Sequence, residues 1–419
     1  MFSEDKKYDC VVIGGGPAGM MAAIRAGELG KKVLLLEKNK TLGKKLLLTG
    51  DGRCNISHLE KSNKDFSLKF GKKGDFLLSP FSVFGSKETF EFFEQNGLLL
   101  NIEEDGRIFP KSNKSKDVLN KLVELLGKNK VEMLFDAKVK DFIVQNKRIE
   151  KVVLNTGKKI TAKNYILTTG GKSYAFTGSD GSGFVFAEKM GHNVVCPCSA
   201  LSPIKVKNNW VKDLAGISLK EISLSFFLNS KKILKGNGSI LFTHTGITGP
   251  LVLNISNDLG SYINKGEIKI FLDLLPDKRA DVLKDDLAVI IGNNKNKSIK
   301  NILSCLFPEK ISLLILNLSN VDISKKGKEI SKLEVIEIIN HIKKVELDFD
   351  GLMGFDMAMA TGGGVDLREI DSKTMKSKII DNLFFAGEVI DLVGISGGYN
   401  LQMCWSTGYI AGNSVGNLD

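Results

Sequence analysis

An α/β fold, with a parallel sheet interrupted by a long insertion, is what the sequence predicts. Three observations predict it. Near each end of the chain a short apolar run leads into glycines or a Gly-Glu pair. The first such run is followed by a helical stretch and a second apolar run. From residue 192 to about 355 the pattern turns strand-rich, then helical, before glycine-rich α/β patterning returns.

Taken in order, Tyr8 to Ile13 reads as a buried parallel strand. Pro17 to Leu29 reads as a helix stopped by Gly30, and Lys32 to Leu36 as the second strand of a βαβ unit. Ser86 to Gly97 and Ser115 to Gly127 read as helices, each with serine near the start and glycine at the end. Val131 to Ala162 reads as an antiparallel meander with turns at Asn146-Lys147 and Thr156-Gly157. It closes on an apolar strand, Tyr165 to Thr168. Within the insertion, Ile204 to Val206, Leu219 to Leu228, Ile233 to Leu234 and Ile240 to Thr243 are strand-like, with a turn expected at Asn237-Gly238. Asp277 to Ile339 reads as about four short helices broken by polar loops and Pro308, and Val345 to Phe349 is again a strand.

Composition narrows the class. At 42% hydrophobic and 26% charged, the 419 residues suffice for two or three domains with a sizeable core. No long uncharged apolar stretch suggests a membrane span, and Met1 to Asp9 does not read as a signal peptide. Six scattered cysteines give neither a disulfide framework nor a zinc pattern, which fits a reducing cytoplasm. The formal net charge is +11, but the lysines are spread out, and Lys325-Lys326-Gly327-Lys328 is too short for a basic tail. That spread favours solvated surfaces over a nucleic-acid partner. The four histidines, His58, His192, His244 and His341, form no pair at ligand spacing, so no metal is expected. His244 is the one marked for an acid–base test, against its reading as a structural loop residue.

The chemistry sits at the chain ends. Gly14, Gly16 and Gly19 form GxGxxG between the first strand and helix, and Glu37 ends the second strand. The first glycine permits the turn, the second lets the backbone approach a pyrophosphate, and the third packs helix on strand. Glu37 is placed to bind an adenosine ribose. Asn382 to Glu388, NLFFAGE, is a strand ending in Gly387 and an acid. Flavoproteins of the two-dinucleotide-binding type carry such an acid to the FAD ribitol. Gly397, Gly398, Tyr399, Asn400, Leu401 and Gln402 follow, and a helix starting there would aim its positive end at the flavin pyrimidine edge. Between these lies Gly43 to Asn55, with Lys44, Arg53, Cys54 and Asn55. Its glycines and guanidinium suit a phosphate or a flavin edge, and Cys54 fits packing better than redox work.

GKKLLLTGDGRCN, FTHTGITGP at Phe242 to Pro250 and AGEVIDLVGISGGYNLQ at Ala386 to Gln402 resemble one family, the BaiN-like or aminoacetone-oxidase-like FAD-dependent oxidoreductases. The resemblance runs from about Tyr8 to about Gly412. It implies an FAD-binding Rossmann-like domain (1–191 and 356–419), an inserted β-barrel-like domain (192–276 and 343–355) and a small helical domain (277–342). It also implies FAD contacts at Gly14, Ala18, Gly19, Glu37, Lys38, Arg53, Cys54, Asn55, Val139, Gly170, Glu388 and Asn400 to Gln402. His58 stands where the family commonly shows a second asparagine after GRCN.

The expected activity is hydride transfer at flavin N5 to or from a small organic substrate held between the FAD domain and the insertion. The alternative is an RNA-associated flavoprotein, motivated by the positive charge. A second GxGxxG is missing: neither Thr169-Gly170-Gly171 nor Thr361-Gly362-Gly363-Gly364 has the spacing. Any NAD(P)H is therefore expected as a transient visitor to the flavin face, unless oxygen or another acceptor serves instead. The substrate, the catalytic acid or base and the oligomeric state are not set by the sequence.

Overall fold

The computed structural model describes residues 7–417. Met1 to Lys6 and the last two residues, including most of the stretch read as no signal peptide, lie outside them. The chain divides into two compact units, one from the residues up to Ala200 with those from Gly354, the other Leu201–Met353.

The first unit is built on a five-stranded sheet in the order Leu383–Phe385, Ala162–Leu167, Tyr8–Ile13, Val33–Leu36, Glu132–Leu134. Every pairing is parallel. Val33–Leu36 is buried throughout and Tyr8–Ile13 nearly so, as strands covered on both faces must be. Glu132–Leu134 belongs to this sheet, a correction to its reading as the start of the meander; it pairs beside Val33–Leu36. The meander proper is Val139–Gln145, Arg148–Leu154 and Lys159–Ile160. Its first turn falls at Asn146 and Lys147, both with positive φ, the backbone a two-residue hairpin turn demands.

The two chain ends meet helix to helix. Pro17–Glu28 packs on the C-terminal helix Tyr399–Gly416. A Cβ on Gly408 would lie 2.4 Å from the Ala18 carbonyl oxygen, and one on Gly412 2.3 Å from that of Ala22. Only glycine permits this approach. The Arg25 guanidinium donates to Asn413 Oδ1 at 2.9 and 3.1 Å across the same seam.

Val194–Ala200 pairs antiparallel with Ala360–Val365, so the chain stays with the first unit past His192, where the sequence pattern breaks. The second unit holds a closed antiparallel barrel in the order Ile204–Val206, Gly246–Thr248, Lys231–Phe242, Ser218–Leu228, Ile268–Asp273, Val345–Leu352. Helices Ala280–Asn293, Ile299–Leu303, Glu309–Leu318 and Lys332–Lys343 share one apolar core with it, through residues such as Leu272, Leu287 and Ile342.

The turn expected at Asn237-Gly238 is not there. Lys231–Phe242 is continuous, and the hairpin turns at Asn229 and Ser230, with φ of 46° and 69°. Gly238 serves packing instead: a Cβ there would come within 3.3 Å of Leu251, on helix Pro250–Leu259. Among the described residues, no helix is long and apolar enough to cross a membrane.

Candidate functional site: a dinucleotide cavity in the first unit

A cavity of about 1240 Å³, counted with its solvent-open mouth, runs from Glu37 and Val139 past Gly14 to Gly16 and on to Glu388 and Leu401. Three glycines shape it in three ways. Gly14 has φ of 109°, and a Cβ there would strike the Thr168 carbonyl at 2.5 Å. A Cβ on Gly19 would fall 1.9 Å from the Gly14 oxygen, so this glycine fixes helix against turn. Gly16 has nothing within 4 Å of that position. It lines the cavity and leaves room for a ligand to approach the backbone.

At one end Glu37 is buried. Its Oε2 accepts the Gly15 N–H at 2.9 Å, and its Oε1 accepts the Asn39 backbone N–H at 2.8 Å and the Asn39 amide at 2.7 Å. The carboxylate is thus aimed, and Oε2 keeps acceptor capacity for a ribose hydroxyl. Lys38 Nζ lies 2.8 Å from Asp180. Burial pushes the Asp180 carboxyl up, but Lys38 and the Ser182 bonds outweigh it and hold it below its ordinary value. Lys44 donates to Asn39 Oδ1 at 3.1 Å. The hydroxyls of Thr169 and Ser179 are buried with no partner among the described residues, and both residues line the cavity. Buried hydroxyls normally find partners, so these await polar groups of a ligand.

At the other end Glu388 is the hub. It accepts from Lys45 Nζ at 2.8 and 3.1 Å, the Thr361 N–H at 2.7 Å, Ser173 Oγ at 3.2 Å and the Gly171 N–H at 3.3 Å. Lys45 also donates to Ser173 Oγ at 2.6 Å. Asn400 ties down the preceding loop through Gly394: Oδ1 accepts its N–H at 2.8 Å and Nδ2 donates to its carbonyl at 3.1 Å. Asn400 and Leu401 line the cavity where helix Tyr399–Gly416 begins.

The structure gathers twelve of the residues singled out in the sequence around this cavity: Gly14, Gly16, Ala18, Glu37, Lys38, Lys44, Val139, Gly170, Gly387, Glu388, Asn400 and Leu401. Gly19, Arg53, Cys54, Asn55, Gly398 and Gln402 are not among the residues that line it. Gln402 is wholly buried, accepting from Ser57 Oγ at 2.6 Å and donating to Thr89 Oγ1 at 2.8 Å. The Arg53 guanidinium bonds Glu103 at 2.7 Å and lies over the Phe109 ring. Cys54 is buried, and burial pushes its thiol up to about 12, which suits packing and not redox chemistry. A Cβ on Gly398 would meet the Ser57 carbonyl at 2.5 Å, so this glycine permits a loop contact.

Sequence reasoning missed Lys45, Ser173 and Thr361. Lys45 stood in the quoted GKK run. Thr361 stood in the glycine run rejected as a second fingerprint, and its N–H and hydroxyl brace Glu388 and the Lys172–Ser173 backbone. His244 is exposed, on the barrel unit. Among the described residues, no group of three or more His, Cys, Asp or Glu could hold a metal ion.

A glycine-lined crevice at the carboxyl ends of a parallel sheet, an acid at each end and orphaned hydroxyls between them fit FAD. With the likenesses that follow, they define an FAD-dependent oxidoreductase. The chain belongs to the family described as HI0933-like protein Rossmann domain, which it matches over residues 8–414. It is 32% identical over 407 residues to the 3-dehydro-bile acid delta(4,6)-reductase of Clostridium scindens, covering 96% of this chain and 98% of that one. It is 29% identical over 409 residues to the ribosomal RNA dihydrouridine synthase of Haemophilus influenzae, covering 97% and 98%. In fold it is similar to the 3-ketosteroid-delta4-(5alpha)-dehydrogenase of Rhodococcus jostii. The TM-score there is 0.56 at 15% identity, over 99% of this chain and 98% of that one.

Proposed function

We propose that this FAD-dependent oxidoreductase is a reductase, saturating a carbon–carbon double bond conjugated with a carbonyl in a small organic substrate. One observation carries the reading. Relatives matched over nearly their whole length are named for a delta(4,6)-reductase and for ribosomal RNA dihydrouridine synthases, and both names describe such a saturation. Bound FAD, once reduced by NAD(P)H, would supply a hydride equivalent from N5 to the β-carbon of the alkene, and a proton from solvent would complete the α-carbon.

The chain's residues do the rest. Glu37 and the Gly14 to Gly16 backbone hold the adenosine and pyrophosphate. The Lys45–Glu388 pair, braced by Ser173 and Thr361, fixes the ribityl end. The start of helix Tyr399–Gly416, where Asn400 and Leu401 line the cavity, would present its positive end to the ring. NAD(P)H serves as a transient electron donor at the same face, with no domain of its own.

A second reading makes the substrate a uracil ring within RNA. The likeness to ribosomal RNA dihydrouridine synthases favours it.

Anaerobic reduction of the purified holoprotein by NADPH or NADH, followed by addition of a Δ4,6-3-ketosteroid, uridine or an rRNA transcript, tests both readings through the flavin absorbance. Reoxidation by a ketosteroid or by free uridine supports the first, and reoxidation by the transcript alone supports the second. Reoxidation by oxygen and by none of the three overturns the reductase reading.

A further inference from the structure

The basic run Lys325-Lys326-Gly327-Lys328 is among the densest in the sequence but too short for a tail, and the fold doubles it. The loop after helix Ala280–Asn293 carries Lys295 and Lys297, and the two loops are laced backbone to backbone. Gly327 N–H donates to the Lys297 carbonyl at 3.0 Å, Lys328 N–H to that of Lys295 at 3.0 Å, and Ile299 N–H to that of Lys325 at 2.8 Å. An antiparallel bridge joins Ser298 to Lys326. Gly327 is buried in the seam, where a Cβ would press at 3.1 Å on the Asn294 carbonyl. The approach of the loops is therefore built in.

Charge pairing within the patch is selective. Lys300 pairs with Glu309 at 2.6 Å and Lys325 with Glu334 at 2.7 Å. Lys295, Lys297, Lys326 and Lys328 are exposed and have no ion-pair partner among the described residues. The carboxylate inside the patch, Glu329, is turned to the Lys326 backbone N–H at 2.8 Å. Four free ammonium groups on two fixed loops match a run of successive phosphates better than a single acidic side chain.

We propose that these two loops of the second unit are a docking surface for the phosphate backbone of RNA. The proposal rests on the second reading above for its biological sense, but its binding test stands apart from turnover. The holoprotein is titrated into a short fluorescein-labelled single-stranded RNA at several salt concentrations. The patch variant carries K295Q, K297Q, K326Q and K328Q. A control variant of equal charge change carries K212Q, K220Q, K231Q and K235Q, exposed lysines of the same unit. Flavin absorbance and circular dichroism verify that each variant is folded.

The expected result is RNA binding by the wild type that weakens at least tenfold in the patch variant. Its log–log salt slope should shrink by about 3, at roughly 0.7 per lost phosphate contact, while the control changes less than twofold. Equal weakening in both variants overturns the proposal, since net charge alone would then explain binding. So does patch-dependent binding to phosphatidylserine vesicles without patch-dependent binding to RNA. Wild-type RNA binding that the patch variant retains removes the patch and leaves the RNA reading standing. Patch-dependent binding to an RNA that never reoxidises the reduced flavin keeps the patch and removes that reading.

Discussion

Lys45 Nζ lies 2.8 Å from Glu388 Oε2, joining a loop of the N-terminal segment to the C-terminal strand's acid at the rim of the FAD cavity. Both side chains are mostly buried. Removing one partner of such a pair leaves the other charge poorly solvated. Lys45→Met should lower FAD affinity by about tenfold or more, and Lys45→Arg should restore part of it. Fluorescence titration of apoprotein with FAD measures both. Equal affinities for wild type and Lys45→Met would contradict the role assigned to the pair.

The fingerprint glycines should separate under substitution. Gly19→Ala drives a Cβ to 1.9 Å from the Gly14 oxygen, so the apoprotein itself should lose stability, by roughly 1–3 kcal/mol. Gly16→Ala meets nothing in the protein, so the apoprotein should melt as the wild type does while FAD binding falls. Thermal melts of both apo variants, each followed by FAD titration, decide. Unimpaired FAD binding by Gly16→Ala would mean the pyrophosphate does not approach this backbone.

His192 sets a pH dependence. Ser377 Oγ accepts the N–H groups of Ile379 and Ile380 at 3.0 and 2.8 Å, so its hydrogen points to His192 Nε2 at 3.0 Å. The imidazole is then neutral, with its proton on Nδ1 facing Glu369 at 3.1 Å. Burial holds its pKa below the ordinary value, against the opposing pull of Glu369. A depressed imidazole contributes stability that is present above the unfolded value, about 6.5, and is lost as pH falls through the folded one. The melting temperature should drop from about pH 7.5 to about pH 5.5, and less so in His192→Phe. Parallel pH curves for the two proteins would exclude His192 as a source.

Thiol labelling should sort the cysteines by place. Cys196, Cys198 and Cys305 are exposed, whereas Cys10, Cys54 and Cys404 are buried. Iodoacetamide on the native holoprotein should alkylate the first three only. Burial pushes the Cys54 and Cys404 thiols up to about 12, so neither supplies thiolate. Cys54→Ala should keep flavin reduction unchanged within about twofold. A large loss of turnover with intact FAD would reopen a chemical role for Cys54.

The parts of this fold that were legible in the sequence are those where local pattern and tertiary role coincide. Tyr8–Ile13, Pro17–Glu28 and Glu37 carry period, cap and acid within one short stretch. Illegible parts depend on distant partners. Gly238 looks like a turn residue, and only the helix above it explains the absence of a side chain there. Glu132–Leu134 is a strand whose sheet is chosen by Val33–Leu36. Lys45, Ser173 and Thr361 come from three distant segments, and no spacing within one of them reveals that all serve Glu388.

Strand Ala162–Leu167 takes one neighbour from the start of the chain and the other, Leu383–Phe385, from near its end. During synthesis the first neighbour is already outside the ribosome when Ala162–Leu167 emerges. The second arrives only after the whole barrel unit has been made. The growing chain therefore carries four of the five strands, with one edge of Ala162–Leu167 unpaired while the barrel unit is made. Glu388 and the glycine-seamed helix Tyr399–Gly416 also follow the barrel unit. FAD retention by a nascent chain is therefore expected only once Glu388, Asn400 and Leu401 have emerged.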